Sequence, residues 1–410
     1  MPKVVQAGEF FVVGGPVQPD RPCYVERAAD AELARAVREQ RFCYVLAPRS
    51  SGKSSLMARA IRALRQDGQL AAVVDLAQIG LRGNTSDAGR WYYSIAYRIL
   101  RELRLKIDLQ AWWQEKSGLP SEQRFSEFFW EVLLANTTTP VTVFFDEVER
   151  ALDVPFGAEL FATIEACYAR RVSEPDYARL NFVVLGVASA ASLAADPSLS
   201  PFIDGQFIDL ADFTLAECMQ LAPGFRLPED EARAIIERVF AWTRGQPYMT
   251  QKVARGVARK GGRPDDVDRV VREQFLGPSG PQGEPLLNHV RSLLSDGRAT
   301  TRQALALLGK IARGAAVHDD RSAPPKELLR LSGIVAAGPD GLLSYRNRIF
   351  GEAFDPRWIG GVRPFDWRAA GAVAALLAVA VVVPLWYGRY LPRPYIRTLS
   401  VVTQDFAVAD

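Results

Sequence analysis

Ala47-Pro48-Arg49-Ser50-Ser51-Gly52-Lys53-Ser54-Ser55 follows the apolar run Phe42 to Leu46 and opens a stretch, Ser54 to Gln66, with apolar residues at Leu56, Met57, Ala60, Ile61 and Leu64. No other nine residues of the chain restrict its fold as strongly. The pattern reads strand, loop, helix, with Gly-Lys-Ser where the helix begins. Such a loop wraps backbone N–H groups around a polyphosphate, and the helix N-terminus adds its positive end. Lys53 is placed to reach the β and γ phosphates, and the Ser54 hydroxyl to ligate Mg²⁺. A Gly-Lys-Ser alone is common; its position between a strand and an amphipathic helix is what makes it a phosphate loop. The chain is expected to bind ATP or ADP with Mg²⁺.

A second signature lies about 90 residues further on. Val141-Thr142-Val143-Phe144-Phe145 is an apolar strand ending in Asp146-Glu147. That places two carboxylates at the C-terminal edge of a parallel sheet, where ligands bind in doubly wound folds. Asp146 is expected to hold the metal shell and Glu147 to polarise an attacking water. Further strands are read at Leu70–Leu76, at Asn181–Val187 and, briefly, at Phe207–Leu210. Five strands alternating with helices predict an α/β fold with a parallel sheet. Ser189, just past the fourth strand, is a candidate γ-phosphate sensor, a solvated serine being an equal alternative. Helices are expected at Ala29–Gln40, at Asp87–Leu105 with Trp91, Ile95, Ile99 and Leu103 along one stripe, and at Ser121–Leu134.

From Thr214 to Lys260 the pattern is helical, interrupted by Pro223-Gly224 and by Gly245-Gln246-Pro247; Gly277 to Glu284 reads as a linker. Beyond it, helices near Leu286–Leu294, Thr301–Ile311 and Lys326–Ser332 precede two short runs, Gly333–Ala337 and Leu342–Tyr345, with a turn at Gly338–Gly341. Three helices and a β-hairpin are the ingredients of a winged helix. The expected organisation is therefore 1–212 nucleotide-binding, 213–275 helical lid, 283–358 winged helix, 369–388 transmembrane helix and 389–410 a short tail, with a possible strand at Ile396–Val402.

The transmembrane expectation rests on Ala369 to Gly388, a run without a charge that is apolar all round and lacks caps. Its helical rise of about 30 Å matches a bilayer's hydrocarbon core. Trp367 and Trp386-Tyr387 sit where interfacial aromatics lie, with arginines beyond. The alternative is a buried core helix. Because those arginines are balanced, orientation follows from the nucleotide: a cell-membrane protein with its N-terminal part in the cytoplasm.

At 410 residues the chain has room for two or three domains, and a net charge of +3 does not point to nucleic acid. The cysteines, Cys23, Cys43, Cys167 and Cys218, are dispersed, and with only His289 and His318 no zinc site assembles at familiar spacing. Met1 to Pro19 lacks a signal-peptide pattern.

Several segments together resemble the AAA-like ATPases of the STAND class: Tyr24-Val25-Glu26-Arg27, the loop Ala47–Leu56, Val73–Leu76 with Asp75, Val143–Glu149, Asn181–Ser189, Gly245–Tyr248 and Leu331–Phe350. The resemblance implies that Val25 and Arg27 contact base or ribose. It also implies that the loop residues Ser50, Ser51, Gly52, Lys53, Ser54 and Ser55 bind phosphates, and that Pro247 touches the base from the lid and couples it to the winged helix. It implies a switch that is closed with ADP and assembles with ATP. Two departures stand out: Ala47 replaces the loop's first glycine, and no arginine finger is identifiable, Arg150, Arg170 and Arg171 being the nearest candidates. The expected function is a membrane-anchored, slowly hydrolysing signalling ATPase with self-assembly or a signalling partner. The alternatives are a membrane-tethered winged-helix DNA-binding regulator, whose basic footprint (Lys326, Arg330, Arg346, Arg348) is thin, and an ATP-binding scaffold without turnover.

Overall fold

A computed structural model of the chain describes residues 9–79, 87–193, 205–277, 283–320, 322–362 and 367–390. The strands are β1 (Cys43–Leu46), β2 (Leu70–Asp75), β3 (Val141–Asp146), β4 (Leu180–Gly186) and β5 (Gln206–Phe207). They form one sheet in the order β2-β3-β4-β1-β5, with every pairing parallel. This is the five-stranded parallel sheet expected. The β2–β3 register aligns Asp75 with Asp146, so both acids emerge at the same edge.

Alternation along the strands divides the core between two faces. Val143 and Phe145 of β3 and Phe182 and Val184 of β4 point to one side, where the helix Ala88–Leu103 and the segment Phe125–Leu134 pack. Phe144, Val183 and Leu185 point to the other, against helices Ala28–Arg38 and Lys53–Gln66. A strand buried on both faces reads as a continuous apolar run, which is what β3 and β4 show. Trp91, Ile95 and Ile99 are buried as their helical spacing predicts, and Leu103 packs at the rim. All four cysteines are buried free thiols.

The helix expected over Ser121–Leu134 is divided. An α-helix covers Ser121–Glu127 and a π-helical turn continues through Phe128–Leu133. The widened turn still sets Phe125, Phe128, Phe129, Val132 and Leu133 into the core, with Phe129 edge-on to Phe182 at 5.3 Å. A 3.6-residue period does not announce that change of pitch.

Helices Glu229–Thr243 and Pro247–Arg259 follow the sheet and turn on Gly245. Gly245 has φ +77, and a Cβ there would meet Phe213 O at 1.8 Å. Its carbonyl accepts the Phe213 N–H at 2.9 Å, which ties the helical pair to the chain leaving the sheet. Helices Pro285–Leu294, Ala299–Ala312 and Pro324–Leu331 come next, then the antiparallel pair β6 (Val335–Ala337) and β7 (Leu343–Tyr345) turning through Gly338–Gly341.

The hairpin returns to the nucleotide loop. Arg346, just past β7, donates from Nε and Nη2 to the two carboxylate oxygens of Asp212, each at 2.6 Å, and from Nη2 to Ser51 Oγ at 3.2 Å. Gly333 lies so close to Pro48 that an added Cβ would stand 2.9 Å from its Cβ. Asn347 Nδ2 donates to Met249 Sδ at 3.4 Å, and Lys252 pairs with the buried Glu284.

Residues 360–410 form a separate unit. It contains a helix, Trp367–Tyr390, with Pro384 inside it and Arg389 in its last turn. Here an expectation is corrected. Among the described residues no helix is long and apolar enough to cross a membrane. The transmembrane reading of Ala369 to Gly388 is overturned. With it go the membrane partner, the single-pass cell-membrane location and the orientation deduced from it. The strand expected at Ile396–Val402 lies outside the described residues.

Two outcomes follow from this packing. Gly245→Ala should lower thermal stability by roughly 2 kcal/mol or more, since it combines a positive φ with a backbone clash; an unchanged melting temperature would refute the contact with Phe213. Arg346 and Asp212 are 9% and 19% exposed at their side chains. Breaking this incompletely buried pair should therefore cost somewhat less than the roughly 3–5 kcal/mol of a fully buried one. A double-mutant cycle of Arg346→Ala and Asp212→Ala, followed by denaturant unfolding, should show a coupling of roughly 1–3 kcal/mol. Additive losses would mean that the pair does not join the hairpin to the sheet.

Candidate functional site

The loop after β1 turns on two left-handed positions, Ser50 at φ +61 and Gly52 at φ +96. The positive φ at Gly52 favours glycine, and a Cβ there would also press on Arg27 Nη2 at 2.8 Å. Ala47, where the usual motif has its first glycine, is not among the positive-φ residues, and its N–H donates to Gly186 O at 3.1 Å. An alanine fits there without strain. The helix Lys53–Gln66 then begins with no side-chain cap, which leaves its first amides available for an anion.

Lys53 is 9% exposed and donates from Nζ to Ala47 O at 2.7 Å and to Pro48 O at 3.1 Å. Burial pulls its ammonium down to about 8, against the opposing pull of Glu149, Asp146 and Glu147. Ser54 Oγ lies 3.4 Å from Asp146 Oδ2 and donates to it. A hydroxyl and a carboxylate oxygen are donors of the kind Mg²⁺ takes, usually one or two from protein with water and phosphate filling the rest of its octahedral shell. Asp146 Oδ1 accepts the N–H of Glu147 at 2.9 Å, and burial raises the Asp146 carboxyl. Glu147 takes φ +55, and its carboxylate faces Arg49 at 3.7 Å. Burial, then the negative charge of Glu149, lifts its proton affinity. Sequence spacing had separated these groups by more than ninety positions; the sheet brings Lys53, Ser54, Asp146 and Glu147 together.

A cavity of about 400 Å³ opens beside them, within the range of small-molecule sites. Of the candidate residues, Val25, Arg27, Ser50, Gly52, Lys53, Ser54, Ser55, Glu147 and Pro247 line it. Ser51 does not; it is 1% exposed and serves as a handle for its neighbours. Arg27, held by burial below its ordinary proton affinity, donates from Nη1 to Ser51 O at 3.0 Å and to Ala211 O at 3.1 Å. Its guanidinium therefore braces the phosphate loop. Ser189 does not line the cavity, and its Oγ accepts the Ser192 N–H at 3.1 Å in a local turn. The arginine candidates are held elsewhere: Arg150 by Asp153, Arg170 by Glu127 and Tyr177, and Arg171 by the Gln40 and Leu180 carbonyls.

Three contributors escaped the sequence reading. Gln246, fully buried, donates from Nε2 to Ser50 O at 3.0 Å while its Oε1 accepts the Met249 N–H at 2.6 Å. It is the middle residue of the Gly-Gln-Pro segment, so the signal was present but unassigned. Glu149 Oε2 accepts the Val187 N–H at 2.9 Å in a space that exists because Gly186 has no Cβ, which would come within 2.6 Å of that oxygen. Gly14, Gly15 and Pro16 of the lead-in also line the cavity. Nothing in their spacing pointed to it.

Residues 12–274 match the family described as AAA-like domain. The chain is 32% identical over 367 residues to an uncharacterized WD repeat-containing protein of Synechocystis sp. (strain ATCC 27184 / PCC 6803 / Kazusa); the match covers 85% of this chain and 30% of that protein. The chain thus spans less than a third of that relative's length. Among solved structures, the Walker-type ATPase PABY2304 of Pyrococcus abyssi superposes with a TM-score of 0.51 at 16% identity, covering 84% of this chain and 99% of that one. The ORC2 protein of Aeropyrum pernix, solved in ADPNP–ADP complexes, gives 0.47 at 14% identity, covering 89% and 98%. With the loop, the carboxylate strand and the five-stranded sheet all in place, the chain belongs to the AAA-like domain family and has the P-loop ATPase fold, which suggests nucleotide binding.

Proposed function

We propose that the protein is a regulatory ATPase of the STAND type, which binds ATP or ADP with Mg²⁺, hydrolyses slowly and changes conformation or assembly with nucleotide state. One observation carries the reading: Lys53, Ser54 and Glu147 border the same cavity as Val25 of the lead-in and Pro247 of the helical lid. Lys53 exchanges its loop carbonyls for β- and γ-phosphate oxygens, and Ser50, Gly52 and Ser55 present backbone and hydroxyl donors. Ser54 and Asp146 hold the metal, whose chemistry is to neutralise phosphate charge. Glu147 orients and deprotonates the attacking water. Val25 and Pro247 border the base, Arg27 braces the loop through Ser51, and Ser189 is kept as a sensor candidate that would have to leave its turn.

The proposed division is a nucleotide-binding part (1–212), a lid (213–275) and a winged-helix arrangement (283–358). Slow turnover accords with the engagement of Arg150, Arg170 and Arg171 away from the loop. Switching has a physical route. Gln246 from the lid and Arg346 from the hairpin hold adjacent loop residues, Ser50 and Ser51, so a loop reshaped by phosphate changes what both elements bind. Its output is self-assembly or engagement of a signalling partner. Arg346 and Arg348, the basic residues of the DNA-binding alternative, are engaged by Asp212 and Glu352, and Arg348 also lies 3.7 Å over the Trp242 ring. DNA contact would require their release.

Lys53→Ala should weaken ATP binding by roughly 100-fold or more, because a charged donor to the phosphates is lost; unchanged affinity in a titration would refute the phosphate-loop assignment. Glu147→Gln should retain nucleotide while slowing hydrolysis by roughly 10²–10⁴-fold. Steady-state turnover at the parent rate would leave Glu147 no more than a strand-end carboxylate.

A further inference from the structure

The phosphate loop carries two cations, Arg49 and Lys53, held in opposite ways. Lys53 is buried and hydrogen-bonded to loop carbonyls. Arg49 lines the same cavity with a side chain 42% exposed. Among the described residues its guanidinium has one ion-pair partner, Glu147, whose Oε2 stands 3.7 Å from Nη2, longer than a hydrogen bond. With Glu147 35% exposed as well, water screens the pair and it contributes little. The backbone on either side is fixed: Pro48 O accepts Lys53 Nζ at 3.1 Å, and Ser50 O accepts Gln246 Nε2 at 3.0 Å. A loosely paired guanidinium on a held backbone can exchange partners without moving the loop. Its positive charge opposes protonation of both Lys53 and Glu147, so it stands beside the phosphate-binding ammonium and the water-polarising carboxylate alike. The other candidates for sensing a γ-phosphate are engaged elsewhere, Ser189 in its turn and Arg150, Arg170 and Arg171 with partners away from the loop.

We propose that Arg49 reads the γ-phosphate: in a triphosphate complex its guanidinium leaves Glu147 for the γ-phosphate oxygens, and in a diphosphate complex it stays on Glu147. This rests on the reading of the cavity as a nucleotide site and names the residue that tells a triphosphate from a diphosphate there. The exchange has a chemical basis. A γ-phosphate offers three oxygens and more negative charge than one carboxylate, and the planar fork of a guanidinium meets two of those oxygens at once. At Glu147 the same fork makes only a long contact. Its departure frees the Glu147 carboxylate for water, so the nucleotide that can be hydrolysed is the one that releases the group polarising water. With a diphosphate the pair is kept and Glu147 stays occupied. One side chain of the loop thereby distinguishes the two nucleotide states, next to the residues Ser50 and Ser51 that Gln246 and Arg346 hold.

The test is titration of the full chain, in Mg²⁺, with ADP and with the nonhydrolysable triphosphate ADPNP. Arg49→Ala should weaken ADPNP by roughly 10- to 100-fold, the loss of a charged hydrogen-bonded contact, and leave ADP affinity unchanged. Arg49→Lys, which keeps the charge without the fork, should fall between. Glu147→Gln should tighten ADPNP relative to ADP by removing the competing carboxylate, and that gain should shrink once Arg49 is alanine. ADP and ADPNP weakened alike in folded Arg49→Ala, or neither weakened, would overturn the assignment while leaving the nucleotide site standing. An equal gain from Glu147→Gln in both backgrounds would reduce it to charge repulsion and overturn the exchange. No gain from Glu147→Gln would overturn it too, whether or not the arginine variants fold. A wild-type protein that binds neither nucleotide would remove the nucleotide reading, and this inference with it.

Discussion

The loop between Ala47 and Gly52 must keep its amides facing a cavity while two of its residues sit in the left-handed region. One of them is a serine, and a non-glycine residue holds such a backbone only where its surroundings impose it. Three arms do so here. Arg27 from the lead-in takes the Ser51 carbonyl, Gln246 from the start of the helix Pro247–Arg259 takes the Ser50 carbonyl, and Arg346 from the hairpin takes the Ser51 hydroxyl. Each arm arrives from a different part of the chain, and each is secured at its own root: Arg27 on Ala211, Gln246 on Met249, Arg346 on Asp212. The geometry of the phosphate loop is thus a property of the whole first unit.

The same convergence shapes the electrostatics. Lys53 is buried beside a loop of carbonyl oxygens and near three carboxylates, Asp146, Glu147 and Glu149. Burial works against its charge while the carboxylates support it. Asp146 in turn is lifted by burial and by Asp75, and Glu147 by burial and by the negative charges of Glu149 and Asp146. Such an arrangement holds opposite charges close without the solvent that would screen them. It suits a site that receives a polyanion with its metal, because that cargo brings charge of both signs.

Much of the sheet was legible along the chain. β3 and β4 are unbroken apolar runs because both faces of a parallel central strand are buried, and their positions agree with expectation to within a residue or so. The Gly-Lys-Ser and the Asp-Glu were legible as well, since each stands at a strand end where only certain residue types serve. The π turn at Phe128–Leu133 was not, as it changes hydrogen-bond pitch without changing which residues are apolar. The final strand, expected at Phe207–Leu210, is present but confined to Gln206–Phe207, which pair with Cys43 and Tyr44 of β1. The apolar run Ala369–Gly388 shows the limit of composition: hydrophobicity alone read it as a membrane span, and the described helix does not meet that requirement.

What the linear chain determined by itself is the chemistry available: a loop with glycine where φ must be positive, an ammonium and a hydroxyl after it, and two carboxylates at a strand end. These follow from local backbone constraints and from side-chain identity, which need no neighbours to be read. Only the tertiary structure decided which groups would face one another. Gln246, Gln251 and Arg346 are polar residues of ordinary appearance; Ser50 lies 196 positions from the first and Cys23 228 from the second, while Asp212 and Ser51 lie 134 and 295 from the third. Their roles exist because burial leaves each of these groups to find its hydrogen bond within the protein, and the partner it finds is set by packing rather than by sequence distance.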